Sequence, residues 1–275
     1  MFFVPSQRAL LVGDGWAAPF QKLGTDVPVV ARLFSQTLFE LISSGGVFFP
    51  APSRFGQEIH DQIDRAVFHG ATVSVCDSVH QRRLCLVREN TRLPYMAWTT
   101  GQREFVPLLL GLHYLLPHVK TRKRKHVDWV VIEEPEMGLH PRAITVVLLL
   151  VLDLLWRGYR VVLSTHSPHV LAAVWMLQRL KEHHAPWHLV CGAFEVKRDA
   201  QMRKVAAEAL RKDYRVHYMF FDDAMQVRSK NISSLDVEDA DDAISSWGGL
   251  AELSSRFGKA VRQAVNKTEN AKQKT

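Results

Sequence analysis

The chain has 275 residues, 47% of them hydrophobic, and a formal net charge of +7. That length and apolar content can bury a sizeable core in one large domain or two small ones, so most of the chain should be globular. The positive balance favours acidic partners such as nucleotides or nucleic acid without identifying one. Cys76, Cys85 and Cys191 are scattered and show neither metal nor disulfide spacing, so a reducing cytoplasm is expected. The N-terminus, MFFVPSQRALLVGDGW, lacks the basic start and clean apolar core of a signal peptide. The strongest apolar run, Ile144–Trp156, is too short to span a bilayer and contains Asp153, so no membrane partner is expected.

In chain order, a helical pattern over Val29–Ile42 is followed by the Pro/Gly-rich Ser43–Gly56 and a second helical pattern over Gln57–Phe68. Short strand patterns at Ala71–Cys76 and Leu84–Val87 are spaced for a hairpin. A helix is predicted from Gln102 to Leu116, and then comes the basic stretch Lys120–His126. From there the pattern alternates: strand Trp129–Ile132, helix Arg142–Trp156, strand Arg160–Ser164, helix His169–Lys181, strand Trp187–Cys191. Continuous apolar strands alternating with helices indicate an α/β fold whose parallel sheet is covered on both faces. Further on, Ala200–Lys212 reads as a helix, Val216–Phe221 and Met225–Arg228 as strands, and Leu250–Val265 as a helix before a frayed tail, residues 266–275.

Three segments carry candidate chemistry. In VVIEEPEMGLHP an apolar strand ends in Glu133 and Glu134. Ligands of open parallel sheets bind beyond the carboxyl ends of the strands, and two acids there can divide the handling of Mg²⁺ and water. A strand running into an acidic turn would look the same. In VVLSTHSPHVL the next strand ends at Ser164, and one crossover later brings His166 to the same edge; Ser167-Pro168 is also an ordinary helix start. In AWTTGQREF, Thr99, Thr100, Gly101 and Gln102 open a helix, which is an anion site by its free N–H groups. The same residues also fit a plain Thr cap with Glu104 completing a capping box.

In this order and spacing the three segments resemble the ABC ATPase superfamily. Thr99-Thr100-Gly101-Gln102 stands at the signature motif, Glu133 at the Mg²⁺-binding acid, Glu134 at the catalytic glutamate, Met137–His140 at the D-loop and His166 at the switch histidine. The Glu-Glu-Pro-Glu…Leu-His-Pro wording is similar to the AAA-named ATPases of the overcoming-lysogenization-defect, repair and anti-phage type, rather than to transporters. The resemblance is strong over Pro94–Leu171 and looser at Phe2–Arg8 and Val216–Trp247. It implies a P-loop NTPase-type α/β domain over residues 1–265 with a mostly parallel sheet. Within it, residues 29–95 would be a helical insertion, 96–195 the motif-bearing core and 196–265 a C-terminal α/β part. It also implies ATP and Mg²⁺ as ligands, a homo- or heterodimer built around a composite nucleotide site, and a role in DNA repair or phage defence.

No G-x-x-x-x-G-K-[ST] loop occurs in the sequence. Gly258-Lys259 is followed by Ala260, has Leu253 where the first glycine belongs, and lies after the acidic pair. The expectation is therefore the later half of such a domain, its sheet incomplete at the N-terminus, as a fragment, a misplaced start or one part of a split ATPase. A catalytically silent regulatory or scaffold subunit is the alternative. Lys120–His126 reads first as a solvated basic turn and second as a nucleic-acid contact, and Asp222-Asp223 and Asp236–Asp242 as surface or cap acids. Arg8 either faces nucleotide or forms a structural ion pair.

Overall fold

The computed structural model describes residues 1–51, 54–78, 81–117, 123–253, 256–258 and 260–262. In chain order its elements are β1 (Phe2–Val4), β2 (Val12–Gly13), β3 (Trp16–Ala17), α1 (Val29–Ser44), β4 (Val47–Phe49), α2 (Gln57–Ile63), β5 (Thr72–Ser78), β6 (Gln81–Arg88), β7 (Thr91–Pro94) and α3 (Thr100–Leu115). Then follow β8 (Trp129–Glu133), α4 (Pro141–Arg157), β9 (Arg160–Ser164), α5 (Pro168–Glu182), α6 (His188–Ala193), α7 (Ala200–Ala209), β10 (His217–Phe221), β11 (Val227–Asn231) and α8 (Asp242–Ser245). They form two compact units: Met1–Thr165 with Ala185–Arg211, and His166–His184 with the chain from Lys212 on. No helix among the described residues is long and apolar enough to cross a membrane.

The first unit is built on a parallel sheet of order β1-β8-β9, in which Phe2 pairs with Val130 and Glu133 with Ser164. Val4, Val130 and Ile132 are fully buried. α4 follows β8 after a short loop and is buried on most sides, which its leucines and valines permit. Pro141 fits its first turn, and Gly158 ends it at φ 93°, a left-handed conformation suited to a residue without Cβ. Its one charged pair, Asp153 and Arg157, is buried one turn apart with Arg157 Nε 2.7 Å from the carboxylate. Burial raises the Asp153 pKa, against the pull of Arg157. Arg157 also donates to the Arg54 carbonyl at 2.9 Å, so the pair ties α4 to the loop before α2.

The remaining strands are antiparallel, the largest group being the sheet β4-β5-β6-β7. It corrects the reading of the cysteines. The β5–β6 hairpin sets Cys76 opposite Arg83 and Ser74 opposite Cys85, so the two cysteines are diagonal neighbours on one face, and they form a disulfide. Cys191 is free and buried. The strand predicted at Trp187–Cys191 is also corrected: it is the short helix α6. Its apolar run is too short for periodicity to separate strand from helix, and the turn begins at Pro186, whose carbonyl accepts from Leu189 N–H at 3.1 Å.

In the second unit, the β10–β11 hairpin, α5 and α8 surround Leu171, Ile232 and Leu235, with Trp247 packed alongside and its indole N–H on the Leu235 carbonyl at 2.9 Å. The acidic clusters here serve turns and caps. Asp222 accepts from the amides of Ala224 and Gln226 and from Arg228, and Asp241 caps α8 through Ala243 N–H. Of the helix predicted at Leu250–Val265, residues 252–253, 256–258 and 260–262 are helical; part of it and all of the tail, like Lys120–Arg122 of the basic stretch, lie outside the described residues.

Candidate functional site at the carboxyl end of the parallel sheet

β8 stops where its apolar residues give way to Glu133 and Glu134. Glu134 N–H still donates to the Ser164 carbonyl at 2.9 Å, one step beyond the paired register. The chain then turns sharply, with Glu134 in the left-handed region at φ 41°. The residue before a proline is poorly suited to the right-handed helical conformation, and Pro135 comes next. Met137 and Leu139 donate to the carbonyls of Glu134 and Glu136 at 3.0 Å each, closing a tight loop. His140 ends that loop as the cap of α4, its Nδ1 accepting from Arg142 N–H at 3.3 Å.

The Glu133 carboxylate is held by the turn after β1: its Oε2 accepts from Ser6 N–H at 3.1 Å and lies 3.4 Å from the Ser6 hydroxyl. On the neighbouring strand end, Thr165 Oγ1 donates to Glu136 Oε1 at 2.7 Å. Neither Ser6 nor Thr165 is marked as a site residue by the sequence; the signal for Ser6 is its place in the Pro-Ser-Gln-Arg segment after an apolar strand.

Arg8 is fully buried. It donates to the carbonyls of Glu133 (3.0 Å), Glu134 (3.2 Å) and Glu104 (3.1 Å), and its Nε is 4.0 Å from the Glu104 carboxylate. Burial lowers the Arg8 pKa, and Glu104, Glu136 and Glu134 act against that. Burial likewise raises the Glu104 pKa, opposed by Arg8 and Arg103. Arg8 therefore clamps the end of β8 to the first turns of α3, the structural one of its two expected roles.

At the start of α3, Thr99 and Gln102 form the capping box. The Thr99 side chain accepts from Gln102 N–H at 3.2 Å, and Gln102 Oε1 accepts from Thr99 N–H at 3.1 Å. The expectation that Glu104 completes this box is corrected: with Thr99 as cap, Gln102 is the third residue of the helix, and Glu104 turns inward to Arg8. Gln102 Nε2 also donates to the Val67 carbonyl at 3.2 Å. Thr99 and Thr100 are exposed. The turn after β8 lies directly against this helix start. A Cβ on Gly138, whose φ is 69°, would sit 2.9 Å from Glu104 Cγ, and one on Gly101 would sit 3.3 Å from the Gly138 carbonyl oxygen. Thr99–Gln102 and Glu133–Glu134 are thus brought together within one unit. His166 opens the other unit and is exposed, followed by Ser167, which caps α5 through His169 N–H at 3.2 Å.

The donor set suits a hydrated Mg²⁺ on a nucleotide. Among the described residues no group of three or more His, Cys, Asp or Glu is arranged as a metal cage. Mg²⁺ in phosphate sites needs only one or two carboxylates, keeps several waters and takes its other ligands from the phosphates. Glu133 sets one carboxylate at this edge, with one oxygen committed to Ser6. The lysine-bearing phosphate loop is the element the sequence does not contain.

A family model described as AAA domain, putative AbiEii toxin, Type IV TA system matches residues 31–172, just over half of the chain. That stretch includes Thr99–Gln102, the two carboxylates and His166, and leaves Ser6 and Arg8 outside. No curated protein matches the chain.

Proposed function

Because the chain belongs to this AAA-domain family, we propose that it is the metal- and water-handling part of an ATP-hydrolysing core, completed by a segment or partner that carries the phosphate-binding loop. The observation that carries this reading is the pair Glu133–Glu134 at the end of β8, fixed by Ser6 and Arg8 and set against the first turn of α3.

In this reading Glu133 would hold Mg²⁺ through its carboxylate, and the ion would neutralise phosphate charge when bound. Glu134 takes the attacking water's proton toward its carboxylate; for His166 the family resemblance implies a role toward the terminal phosphate. Thr99, Thr100 and Gly101 present hydroxyls and N–H groups to the nucleotide of a second subunit in a composite dimer. The proposed setting is DNA repair or defence against phage.

The test is ATP turnover by the full chain combined with a loop-bearing segment. Glu134→Gln should lower kcat by two or more orders of magnitude while ATP still binds, about what loss of a general base costs. Turnover that survives Glu134→Gln would remove the assignment.

A second reading, a silent scaffold subunit, is favoured by one observation: the Gln102 side chain is already engaged by Thr99 and Val67. It predicts no ATP uptake by calorimetry even with the loop-bearing segment present, and complex formation unaffected by His166→Ala.

A further inference from the structure

Two arginines grip the carboxyl end of α3 and face one cavity. Arg54 donates from Nη1 to the carbonyls of His113 (2.9 Å) and Leu116 (2.7 Å). The Arg124 guanidinium lies over the Tyr114 ring, 3.6 Å from its centroid, and its Nη1 donates to the Tyr114 carbonyl at 3.1 Å. Both line a cavity of about 200 Å³ together with His113 and with Thr37 and Glu40 of α1.

Capping a helix end explains part of this arrangement, since cations complement the partial negative charge there. It does not use up the two cations. Each guanidinium spends only Nη1 on carbonyls, and among the described residues neither forms an ion pair with a carboxylate. Glu40 is the acid in the described wall, and it accepts from Gln36 at 2.9 Å. Two full positive charges therefore stand against one carboxylate and a helix end worth about half a charge. The Arg54 pKa is lowered by burial first and by the Arg124 charge second, in keeping with two cations sharing a confined space.

We propose that this cavity is a phosphate-binding site distinct from the carboxylate edge. The two lie at opposite ends of α3, roughly 24 Å apart at 1.5 Å per residue. A phosphate group offers several acceptor oxygens to the unused N–H groups of two planar forks, the recognition at which arginine excels over lysine. Two sources present that chemistry, a free phosphate or a nucleic-acid backbone. Arg124 continues into the exposed Lys125 and His126, and Arg160 lies over the partly exposed Trp129, 5.4 Å from its ring centroid.

The test titrates the full chain with inorganic pyrophosphate and, separately, with a short DNA duplex over a range of salt. The variants are Arg54→Lys and Arg124→Gln; Arg124 is exposed, so its variant should fold even if Arg54→Lys does not. Pyrophosphate binding that weakens about tenfold in the variants, with duplex binding unchanged or absent, supports the site with a free phosphate as its source. Duplex binding that weakens similarly and loses roughly one unit of salt dependence per arginine supports a nucleic-acid backbone. No binding of either probe by the wild-type chain, or equal binding by wild type and folded variants, overturns the proposal.

Discussion

The main-chain N–H of Ser6 lies 3.1 Å from Oε2 of Glu133, a contact between residues 127 positions apart. It sets one carboxylate oxygen at the end of β8 from the turn that follows β1, so the support of the acidic pair comes from the far end of the chain. Ser6→Pro removes that N–H at the first position of a short helical turn, where proline's backbone angle is tolerated. It should cost about 1–3 kcal/mol of stability, while Ser6→Ala, which keeps the N–H, should cost well under half as much. Urea unfolding of the two variants compares them, and equal losses would mean the amide bond is unimportant.

Arg8 serves four carbonyls, those of Pro5, Glu104, Glu133 and Glu134, while facing the Glu104 carboxylate. Arg8→Met leaves those acceptors and a partly buried acid without their cation, and should destabilise by about 3 kcal/mol. Arg8→Lys keeps the charge but loses the fork, so it should fall between wild type and Arg8→Met. A lysine variant as stable as wild type in chemical denaturation would show that charge alone suffices.

Tyr95 is buried beside the start of α3, its hydroxyl 3.4 Å from the Arg103 carbonyl. Burial pushes its phenol from 10.0 to about 12, with Arg103 lowering it and Glu104 raising it further. A group whose pKa is higher folded than unfolded contributes stability that is complete below the unfolded pKa. That stability is lost as pH rises through the folded value. The Tyr95 contribution should therefore be intact below pH 10 and fade toward pH 12. Ultraviolet titration of phenolate should show a late-ionising component that disappears in Tyr95→Phe, and the variant's stability should fall less steeply over that interval.

The cysteines allow a direct count. With Cys76 joined to Cys85, the denatured, unreduced chain should expose one reactive thiol, Cys191, and three after reduction. Three thiols before reduction would mean the hairpin's sulfurs are unbonded in solution. Cys76→Ser should cost at most about 3 kcal/mol, because the loop it closes is short.

The parts legible in the sequence were those with a local signature. β8, α4 and β9 stand out as strongly apolar runs, α4 bounded by Pro141 and Gly158, and the predicted Arg160–Ser164 matches β9 residue for residue. The placement of Glu133 and Glu134 at a strand end followed from the same run. β4 and β7 went unseen because each is short, and β7 is exposed along its whole length, so burial leaves no pattern in its residues. The disulfide depended on hairpin register rather than on spacing along the chain. The grip of Ser6 and Arg8 on the end of β8 is a tertiary contact, and neither residue type announces its partner. Glu104 shows the limit from the other side. Its spacing allowed a capping role, but the start of the helix, fixed by Thr99, assigned that role to Gln102 and left Glu104 facing inward.

The pairing of β1 with β8 also has a consequence in time. During synthesis Phe2, Phe3 and Val4 leave the ribosome long before Val130, Val131 and Ile132 exist to receive them. At ordinary translation speeds that interval is on the order of ten seconds. For that period a short apolar strand has no native neighbour, and any chaperone or nearby chain competes for it. The yield of the folded chain should therefore depend on how fast the middle of the message is read.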